Sequence, residues 1–475
     1  MPTGNHCAQN PAQLSQNPPG RDQRRTNISA AYVAPQLHKG GTYAAVKAAL
    51  CQHGLPIIRA NRERLWEDFA AVAKIGRRRD GGISREAYSP AFMEARRFVQ
   101  ERMVAAGLKA RVDAAGNLFG RTLGAAPVVL TGSHLDAVPN GGAFDGAVGV
   151  ICALEATRAI SETSVSLENA IEVVAFAEEE GRFTGLLGSA LMVGAASISE
   201  LPSLKDVGGD SLSEVLSSVG LNVSRLGDAR RAPAEIAAFV ELHIEQGAVL
   251  ENLGLPIGVV TNVSATYRLA VELHGRADHA GATPLDHRKD ALLAAAEVIT
   301  QVRSLAVKTG RPSIRATVGQ LVVSPNVTSV VAESVRFVVD VRDTEEEPRS
   351  GLIEQIRAAI DLACSREGLA ADMRATMSAR PIRTDARVVD AIESACRCFN
   401  LPFAHIVSGA SHDALNVALV APTGMIFVRS VGGRSHTPTE FTSGEDIAAG
   451  ADALIGTLIH LRLAAEPASG RSQLA

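Results

Sequence analysis

Residues 128–149 read VVLTGSHLDAVPNGGAFDGAVG, and the pattern of this stretch indicates the fold class. Its first three residues are apolar and predict a buried strand, a glycine-rich turn follows, and the apolar residues from position 147 onward predict a helix. His134 and Asp136 stand just after the predicted strand, and Asp145 stands at the start of the predicted helix. Open α/β sheets place their sites at the carboxyl ends of strands. The stretch therefore predicts an α/β domain with a polar site at that edge.

The polar residues of this stretch have two interpretations. His134 and Asp136 lie two positions apart, so the carboxylate could orient the imidazole while the other ring nitrogen binds a metal ion. Asp145 has two carboxylate oxygens and could bridge two ions. Alternatively, Asp145 caps the following helix, as aspartate often does. This stretch alone leaves both interpretations open.

Length and composition indicate an ordinary globular protein with more than one domain. A chain of 475 residues exceeds what one core usually accommodates, so two domains are expected. Hydrophobic residues make up 46% and charged residues 21% of the chain. An aromatic share of 4% and a formal charge of -4 argue against a nucleic-acid surface. No apolar run approaches the length that spans a bilayer, so no membrane partner is expected.

The cysteines and the first residues bear on the compartment. Six cysteines are scattered without CxxC pairs, which favours reduced thiols and a cytoplasmic protein. Residues 1–56 are rich in Asn, Gln, Pro and Gly, and Asp22 is their only acidic residue. A transit peptide or a twin-arginine signal is the alternative for this segment, but its apolar run is short and ends at Pro35. We expect a disordered extension.

Polar residues follow three further predicted strands. Residues 171–177 are apolar and precede Glu178, Glu179 and Glu180. Residues 239–247 read FVELHIEQG and carry His243, and the strand predicted at 425–428 precedes a loop with His436. A charge run is usually a solvated face, and a lone histidine is usually a core residue. The recurrence after several strands favours a metal site, where one glutamate binds an ion and its neighbour accepts a proton.

Residues 265–378 show a different pattern, which predicts a domain inserted into the larger one. Strands are predicted at 267–274, 313–323, 335–341 and 371–376, and helices at 286–307 and 346–367. This β-α-β-β-α-β order is that of a ferredoxin-like unit. The catalytic domain would then comprise residues 57–264 and 379–465, followed by a tail at 466–475. Further helices are predicted at 386–399, 411–417 and 443–463. His279 and Arg342 are the polar residues of the insert that stand out.

Together these motifs resemble the hydantoinase/carbamoylase family of binuclear metal amidohydrolases, which are related to the aminoacylase and carboxypeptidase-like dizinc peptidases. The resemblance covers roughly residues 61–463. It is carried, in family order, by GSHLDAVPNGGAFDGAVG, AEEEGRF with LLGS, LHIEQG, DHAGATP, SGASHDA and VGGRSHTP. It implies a mixed-sheet, dizinc-peptidase-like catalytic domain whose ferredoxin-like insert serves as a lid and dimerisation domain.

The resemblance also implies a role for individual residues. Two divalent ions per subunit, zinc or else manganese, cobalt or nickel, are implied, with these ligands: Asp145 between them, His134 and His243 on one, and Glu180 and His436 on the other. The implied catalytic residues are Glu179 as general base, Asp136 as the partner of His134, and His279 at the oxyanion. The implied substrate-binding residues are Gln246, His279, Arg342 and the residue at position 329.

Two departures from the family pattern concern the substrate. The family usually reads PNAVN before the strand that carries the arginine, and its second Asn contacts the substrate. Here the stretch is PNVTS, so Ser329 stands at that position. After the glutamates this chain reads EEGRF, one residue shorter than the common family pattern.

The resemblance implies hydrolysis of the carbamoyl C–N bond of an N-carbamoyl-L-amino acid by a cytoplasmic homodimer formed through the insert. The products would be the amino acid, carbon dioxide and ammonia. Allantoate or another ureide would use the same machinery, and so would a dipeptidase or aminoacylase on this scaffold. The alternative of a different class is a non-catalytic metal-binding protein, for which the loss of Glu179 or of a ligand would be expected.

Overall fold

The computed structural model describes residues 57–163 and 169–463. The expected extension at residues 1–56 and the expected tail at residues 466–475 lie outside the described residues. Within the described ranges the chain forms a large mixed sheet, a smaller antiparallel sheet, a two-stranded ribbon and the helices that pack against them. No described helix combines the length and the apolar character needed to cross a membrane.

Strands and helices alternate over much of the chain. The helices are α1 (Arg62–Val72), α2 (Pro90–Ala105), α3 (Ala147–Ser161), α4 (Leu187–Val193), α5 (Leu212–Ser218), α6 (Val249–Leu253), α7 (Ala291–Lys308), α8 (Glu346–Glu367), α9 (Ala386–Cys398), α10 (Ala414–Val417) and α11 (Gly444–Leu463). The strands are β1 (Ile83–Arg85), β2 (Lys109–Val112), β3 (Leu118–Arg121), β4 (Ala125–His134), β5 (Ala137–Gly141), β6 (Asn169–Phe176), β7 (Ile236–Ile244), β8 (Ile257–Val263), β9 (Ala265–His274), β10 (Arg315–Ser324), β11 (Ser334–Asp343), β12 (Ala370–Ser378), β13 (Ile382–Arg383), β14 (Phe403–Ser408) and β15 (Thr423–Val428).

The large sheet has a parallel centre. In the described part of the chain it has nine strands in the order β13-β8-β15-β7-β4-β6-β3-β2, with β14 paired to β8. β15, β7, β4 and β6 are parallel, whereas β8 and β3 join them antiparallel. The predicted mixed α/β fold is therefore confirmed. Because the four central strands point the same way, their carboxyl ends meet at one edge of the sheet.

Both faces of the large sheet are buried. Consecutive residues of a strand point to opposite faces, and Val129 and Leu130 of β4 accordingly belong to two different apolar clusters. The first cluster includes residues of α3 and α11, and the second includes residues of α4 and α10. Burial on both faces explains why the central strands are apolar runs without alternation.

Helix α3 lies very close to the backbone of β7. A Cβ atom on Gly149 would lie 2.1 Å from the carbonyl oxygen of Leu242 and 2.7 Å from the side chain of Ser133. Glycine at this position therefore permits the contact between helix and sheet. The contact fixes the start of α3, and with it Asp145, against the ends of β4 and β7.

The smaller sheet is built from residues between β8 and β13. Its order is β10-β11-β9-β12, and each neighbouring pair is antiparallel. Helices α7 and α8 pack on it through an apolar cluster of their own. The order of elements is the β-α-β-β-α-β order predicted for this segment. That the unit acts as a lid or joins two chains stays a prediction.

Several predicted elements differ from the structure. The helix predicted from position 286 begins at Ala291, because the Asp290 side chain accepts the N–H groups of Leu292 and Leu293 and caps it there. The helix predicted at 411–417 is limited to α10, and its Ala414 N–H donates to the buried Glu241 carboxylate. Strands β8 and β14 were not predicted, since their apolar runs are short and contain polar residues.

Candidate metal centre

The predicted metal ligands meet at the carboxyl edge of the parallel strands. His134 ends β4, His243 is the penultimate residue of β7, Glu180 follows β6, and His436 lies in the loop after β15. Three overlapping groups of side chains have ligand atoms within 4.8 Å of one another. These groups are His134 with Asp145 and His243, His134 with Glu179 and Glu180, and Asp145 with Glu180 and His436.

Asp145 lies at the centre and presents one oxygen to each side. Its Oδ1 atom lies 3.0 Å from His243 Nε2 and 3.3 Å from His134 Nε2. Its Oδ2 atom lies 3.2 Å from His436 Nε2. The alternative that Asp145 caps α3 is wrong, because the N-cap residue is Gly146 and no side chain caps the helix. A carboxylate in this position can face two cations at once.

The two glutamates after β6 that reach this cluster face different histidines. Glu180 Oε2 lies 3.4 Å from His436 Nε2, and Glu179 Oε2 lies 3.7 Å from His134 Nε2. Glu180 Oε1 is buried and has no hydrogen-bond partner among the described residues. A buried carboxylate oxygen without a partner is costly. Its place among imidazoles and carboxylates fits a ligand of a divalent cation.

The charges of the cluster favour cations. Burial raises the pKa of Glu179 well above its usual value and, together with the nearby Asp145, raises that of Glu180 to about 7. Burial acts on Asp145 as well, but His243 and the other two histidines hold its pKa well below the usual range. The hydrogen bond with Asp145 raises the pKa of His436 to about 9. Positive charge at the imidazole positions is therefore stabilised, and a bound metal ion would supply it.

The Asp136 carboxylate accepts hydrogen bonds from the glutamate turn and lies farther from the ring of His134. The donors are the N–H groups of Glu179 and Glu180, at 3.3 and 3.0 Å. His134 Nδ1 lies 3.1 Å from the main-chain oxygen of Asp136 but 3.9 Å from its carboxylate. The Asp136 carboxylate is thus within ion-pair distance of the ring but is not its nearest acceptor, and its role as the partner of His134 stays a prediction. The two N–H groups of the turn already occupy that carboxylate, and the main-chain carbonyl faces the ring.

The environment of the Glu178 side chain differs from those of Glu179 and Glu180. Glu178 is buried, and its carboxylate accepts the N–H groups of Phe183 at 2.5 Å and Gly185 at 3.2 Å. Its φ of 62° lies in the left-handed region, which is uncommon for a residue with a side chain. Burial raises its pKa to about 8. Glu178 therefore anchors the loop that is shorter than in the family pattern, while Glu179 and Glu180 face the cluster.

Glu440 joins two loops of the cluster, and sequence reasoning missed it. Its Oε1 atom accepts the N–H groups of Phe144 and Asp145 at 2.8 and 3.0 Å. Its Oε2 atom lies 2.7 Å from Ser435 Oγ, and that hydroxyl is also 2.8 Å from Asp145 Oδ2. In the sequence Glu440 looks like an ordinary surface charge, and only its position four residues after His436 could have pointed to it.

His412 is a second residue that was missed. It is buried, its Nε2 atom lies 2.9 Å from Ser408 Oγ, and its ring centroid is 4.5 Å from that of His243. Burial, and then the neighbouring His243, keep the pKa of His412 well below its usual value, which disfavours the charged ring. The SGASHDA motif contains it, but the strand before that motif, β14, was not predicted.

A cavity of about 130 Å³ opens onto the cluster and receives two of the predicted substrate-binding residues. Gln246 Nε2 donates to Asp145 Oδ2 at 2.7 Å, while Gln246 Oε1 is buried without a partner among the described residues. Arg342 reaches the cavity from β11 of the smaller sheet, and its Nε donates to Asp340 at 2.8 Å. Residues of both sheets therefore line one site.

His279 and Ser329 lie away from this cavity. Both are exposed, and neither lines it. They are neighbours in the smaller unit, where the Ala280 N–H donates to the Ser329 carbonyl at 2.8 Å. The His279 Nδ1 atom accepts the N–H groups of Gly281 and Ala282. The described chain thus does not bring these two residues to its own cluster, and their predicted roles stay predictions.

A mixed sheet whose strand ends gather imidazoles and carboxylates around a shared aspartate defines a metal-dependent hydrolase. Comparison with known proteins agrees with this class. Residues 130–460 match the model of peptidase family M20/M25/M40. The chain is 40% identical to the N-carbamoyl-L-amino acid amidohydrolase of Geobacillus stearothermophilus, over 84% of this chain and 98% of that protein. It is 35% identical to the allantoate amidohydrolase of Bacillus subtilis, over 82% of this chain and 95% of the relative.

Solved structures give the same result. A hydantoinase/carbamoylase family amidase from Burkholderia vietnamiensis has a TM-score of 0.77 and 35% sequence identity, covering 86% of this chain and 99% of that one. This chain therefore belongs to peptidase family M20/M25/M40, among the hydantoinase/carbamoylase amidases, and is a metal-dependent amidohydrolase.

Proposed function

We propose that this amidohydrolase cleaves the ureido C–N bond of an N-carbamoyl-L-amino acid and releases the amino acid, carbon dioxide and ammonia. The observation that carries the proposal is the position of Asp145, whose two oxygens face histidines on opposite sides. The relative from Geobacillus stearothermophilus, which is named for this substrate class, supports the choice of substrate.

Two divalent cations would be held by side chains that already converge. His134 and His243 would bind one ion, Glu180 and His436 the other, and Asp145 both. Imidazole and carboxylate ligands suit zinc, manganese, cobalt and nickel alike, so the proposal covers all four. When bound, such ions polarise a carbonyl group and lower the pKa of a water molecule.

Glu179 would carry the proton. Its carboxylate faces the cluster but is not needed as a ligand in this assignment, so it is available to take a proton from the attacking water and return it to the leaving nitrogen. Asp136 would position it, because its carboxylate holds the N–H groups of Glu179 and Glu180. Ligand and base would then be adjacent residues of one turn.

Arg342 and Gln246 would orient the substrate. The guanidinium of Arg342 can bind a carboxylate through two parallel N–H donors, and Asp340 holds it in the cavity until substrate arrives. Gln246 Oε1, which is buried without a described partner, would accept a hydrogen bond from the carbamoyl nitrogen. A substrate held this way carries a carboxylate next to its ureido group.

His279 and Ser329 would act on a second copy of the chain. Both are exposed and lie outside the cavity of their own chain. A homodimer formed through the smaller unit would bring His279 of one protomer to the cluster of its partner, where its ring could donate to the developing oxyanion. Ser329, its neighbour, would contact the same substrate.

A different ureide is the second candidate, favoured by the similarity to the allantoate amidohydrolase of Bacillus subtilis. Both candidates are tested by measuring ammonia release from a panel of N-carbamoyl-L-amino acids, allantoate and dipeptides with the metal-loaded protein. We expect the highest kcat/KM with an N-carbamoyl-L-amino acid. A higher value for allantoate would replace the first candidate by the second, and cleavage of dipeptides alone would defeat both.

A further inference from the structure

Arg268 lines the cavity at the metal-ligand cluster together with Arg342, and the proposed reaction gives it no role. It lies on β9, directly opposite Asp340 of β11, and Arg342 follows Asp340 by two positions. The three side chains therefore leave the same face of the smaller sheet. Their neighbours Leu269 and Val341 belong to the apolar cluster under α7 and α8. The face that carries the arginines is thus turned away from these helices and towards the cavity.

The carboxylate of Asp340 accepts hydrogen bonds from both arginines. Arg342 donates its Nε to Oδ1 at 2.8 Å and its Nη2 to Oδ2 at 3.3 Å. Arg268 donates its Nε to Oδ2 at 3.2 Å. Within the described part of the chain, Nη1 of Arg342 and both Nη groups of Arg268 donate to no other residue. Asp340 therefore fixes the two guanidinium groups side by side and leaves N–H donors of each for a ligand.

The charges of these three side chains indicate why two arginines are present. Arg342 and Asp340 alone form a pair without net charge, and an incoming carboxylate would be repelled by the Asp340 oxygens as it approached the guanidinium. Arg268 supplies a second positive charge, so the three side chains together carry one surplus positive charge. Apart from histidines, Arg268 and Arg342 are the only basic residues that line the cavity in the described ranges. The surplus charge matches a ligand with one carboxylate.

We propose that Arg268 binds the substrate carboxylate together with Arg342 and is a specificity-determining residue of the reaction. This inference rests on the proposed function, in which the substrate carries a carboxylate next to its ureido group. The two carboxylate oxygens would accept from the Nη groups of the two arginines. Asp340 holds both guanidinium groups before the substrate arrives, so that less entropy is lost on binding.

Arg268→Gln tests this role in the metal-loaded protein, with the best N-carbamoyl-L-amino acid of the substrate panel. Loss of the charged donor should raise KM about tenfold or more and leave kcat within about threefold, as loss of uniform substrate binding predicts. The Arg268 side chain is 45% exposed, so the variant should fold, and its melting temperature checks this. Arg336→Gln is the matched control, because Arg336 leaves the same face of β11 outside the cavity and should keep the wild-type KM.

Asp340→Asn in the Arg268→Gln background separates charge from structure. The asparagine oxygen can still accept from Arg342, but the negative charge beside that arginine is gone. KM should therefore fall by about threefold or more from its value in Arg268→Gln, whereas a second structural defect would raise it further.

Three results would overturn the inference and leave the proposed function standing. They are a wild-type KM in Arg268→Gln, an increase that Asp340→Asn does not reverse, and an equal increase in Arg336→Gln. If the wild type hydrolyses no N-carbamoyl-L-amino acid, the proposed function and the inference fail together.

Discussion

At the scale of single residues, three consecutive glutamates receive three different environments from the fold. Glu178 accepts N–H groups of the following loop, Glu179 faces His134, and Glu180 faces His436. Their order along the chain does not distinguish them, since each is simply a glutamate after an apolar strand. The positive φ of Glu178 is what separates it from the other two. The conformation of the turn therefore determines that Glu179 is placed as the proposed base and Glu180 as the proposed ligand.

Glu179→Gln tests this division. The amide is nearly isosteric but cannot accept a proton at neutral pH, so turnover should fall roughly 100-fold to 10,000-fold while the metal content stays unchanged. Steady-state kinetics and elemental analysis on the same preparation measure both. Glu178→Gln is the matched control, because it makes the same change one residue earlier. It should mainly lower the melting temperature, and it should reduce turnover much less than Glu179→Gln does. If Glu179→Gln kept a turnover near that of the wild type, another group would be the general base.

The candidate ligands could be predicted from the sequence, whereas the residues that hold them could not. His134, His243 and His436 each stand at or just after an apolar strand, and that pattern is local. Glu440 holds the N–H of Asp145 across 295 positions of the chain, and no local pattern encodes such a contact. The main-chain oxygen of Asp136 lies nearer to the His134 ring than the Asp136 carboxylate does, and the spacing of the two residues in the sequence does not show this competition.

At the scale of elements, close contact between α3 and β7 determines where Asp145 lies. A methyl group at Gly149 would lie 2.1 Å from the Leu242 oxygen, so Gly149→Ala should displace the helix and destabilise the protein by about 1–3 kcal/mol. Gly351→Ala makes the same change in α8, where nothing lies within 4 Å of the new methyl group. There it should stabilise by roughly 0.5–1 kcal/mol through helix propensity.

Thermal melting of the two variants beside the wild type measures this difference. The result that agrees with the structure is a lower melting temperature for Gly149→Ala and an unchanged or higher one for Gly351→Ala. If Gly149→Ala were as stable as the wild type, α3 could not pack as closely on β7 as described.

Elements with a long and regular pattern were predictable, and short ones were not. The strands of the parallel centre and the α-β alternation of residues 265–378 follow from apolar runs and their periodicity. β8 and β14 carry polar residues within short runs, and their pairing partners define them as strands. The start of α7 depended on which of two aspartates, Asp286 or Asp290, caps the helix, and both are plausible caps.

At the scale of the whole molecule, residues from both sheets surround the proposed substrate. The large sheet supplies the candidate metal ligands, and the smaller sheet supplies Arg342. The sequence predicted this division into two units. It could not predict how their surfaces face each other, because that depends on contacts between segments far apart in the chain. Substrate bound to both would draw the units together and exclude water.

Mixed dimers test whether His279 acts across two chains. The variants His279→Ala and Glu179→Gln should each be nearly inactive alone. After subunit exchange at equal amounts, half of the dimers contain one chain of each kind, and one of their two sites has both native residues, so about a quarter of wild-type activity should return. Exchange is verified with differently tagged chains. If activity does not return, His279 acts in its own chain or has no role in catalysis.

We propose that the cluster around Asp145 holds two metal ions and that hydrolysis of an N-carbamoyl-L-amino acid requires both. The most direct test is to remove metal with a chelator and to titrate zinc, manganese, cobalt or nickel back while measuring ammonia release. We expect no activity without metal and a plateau at two equivalents of the effective ion per chain. Full activity after verified removal of metal, or a plateau at one equivalent, would contradict a catalytic centre of two ions.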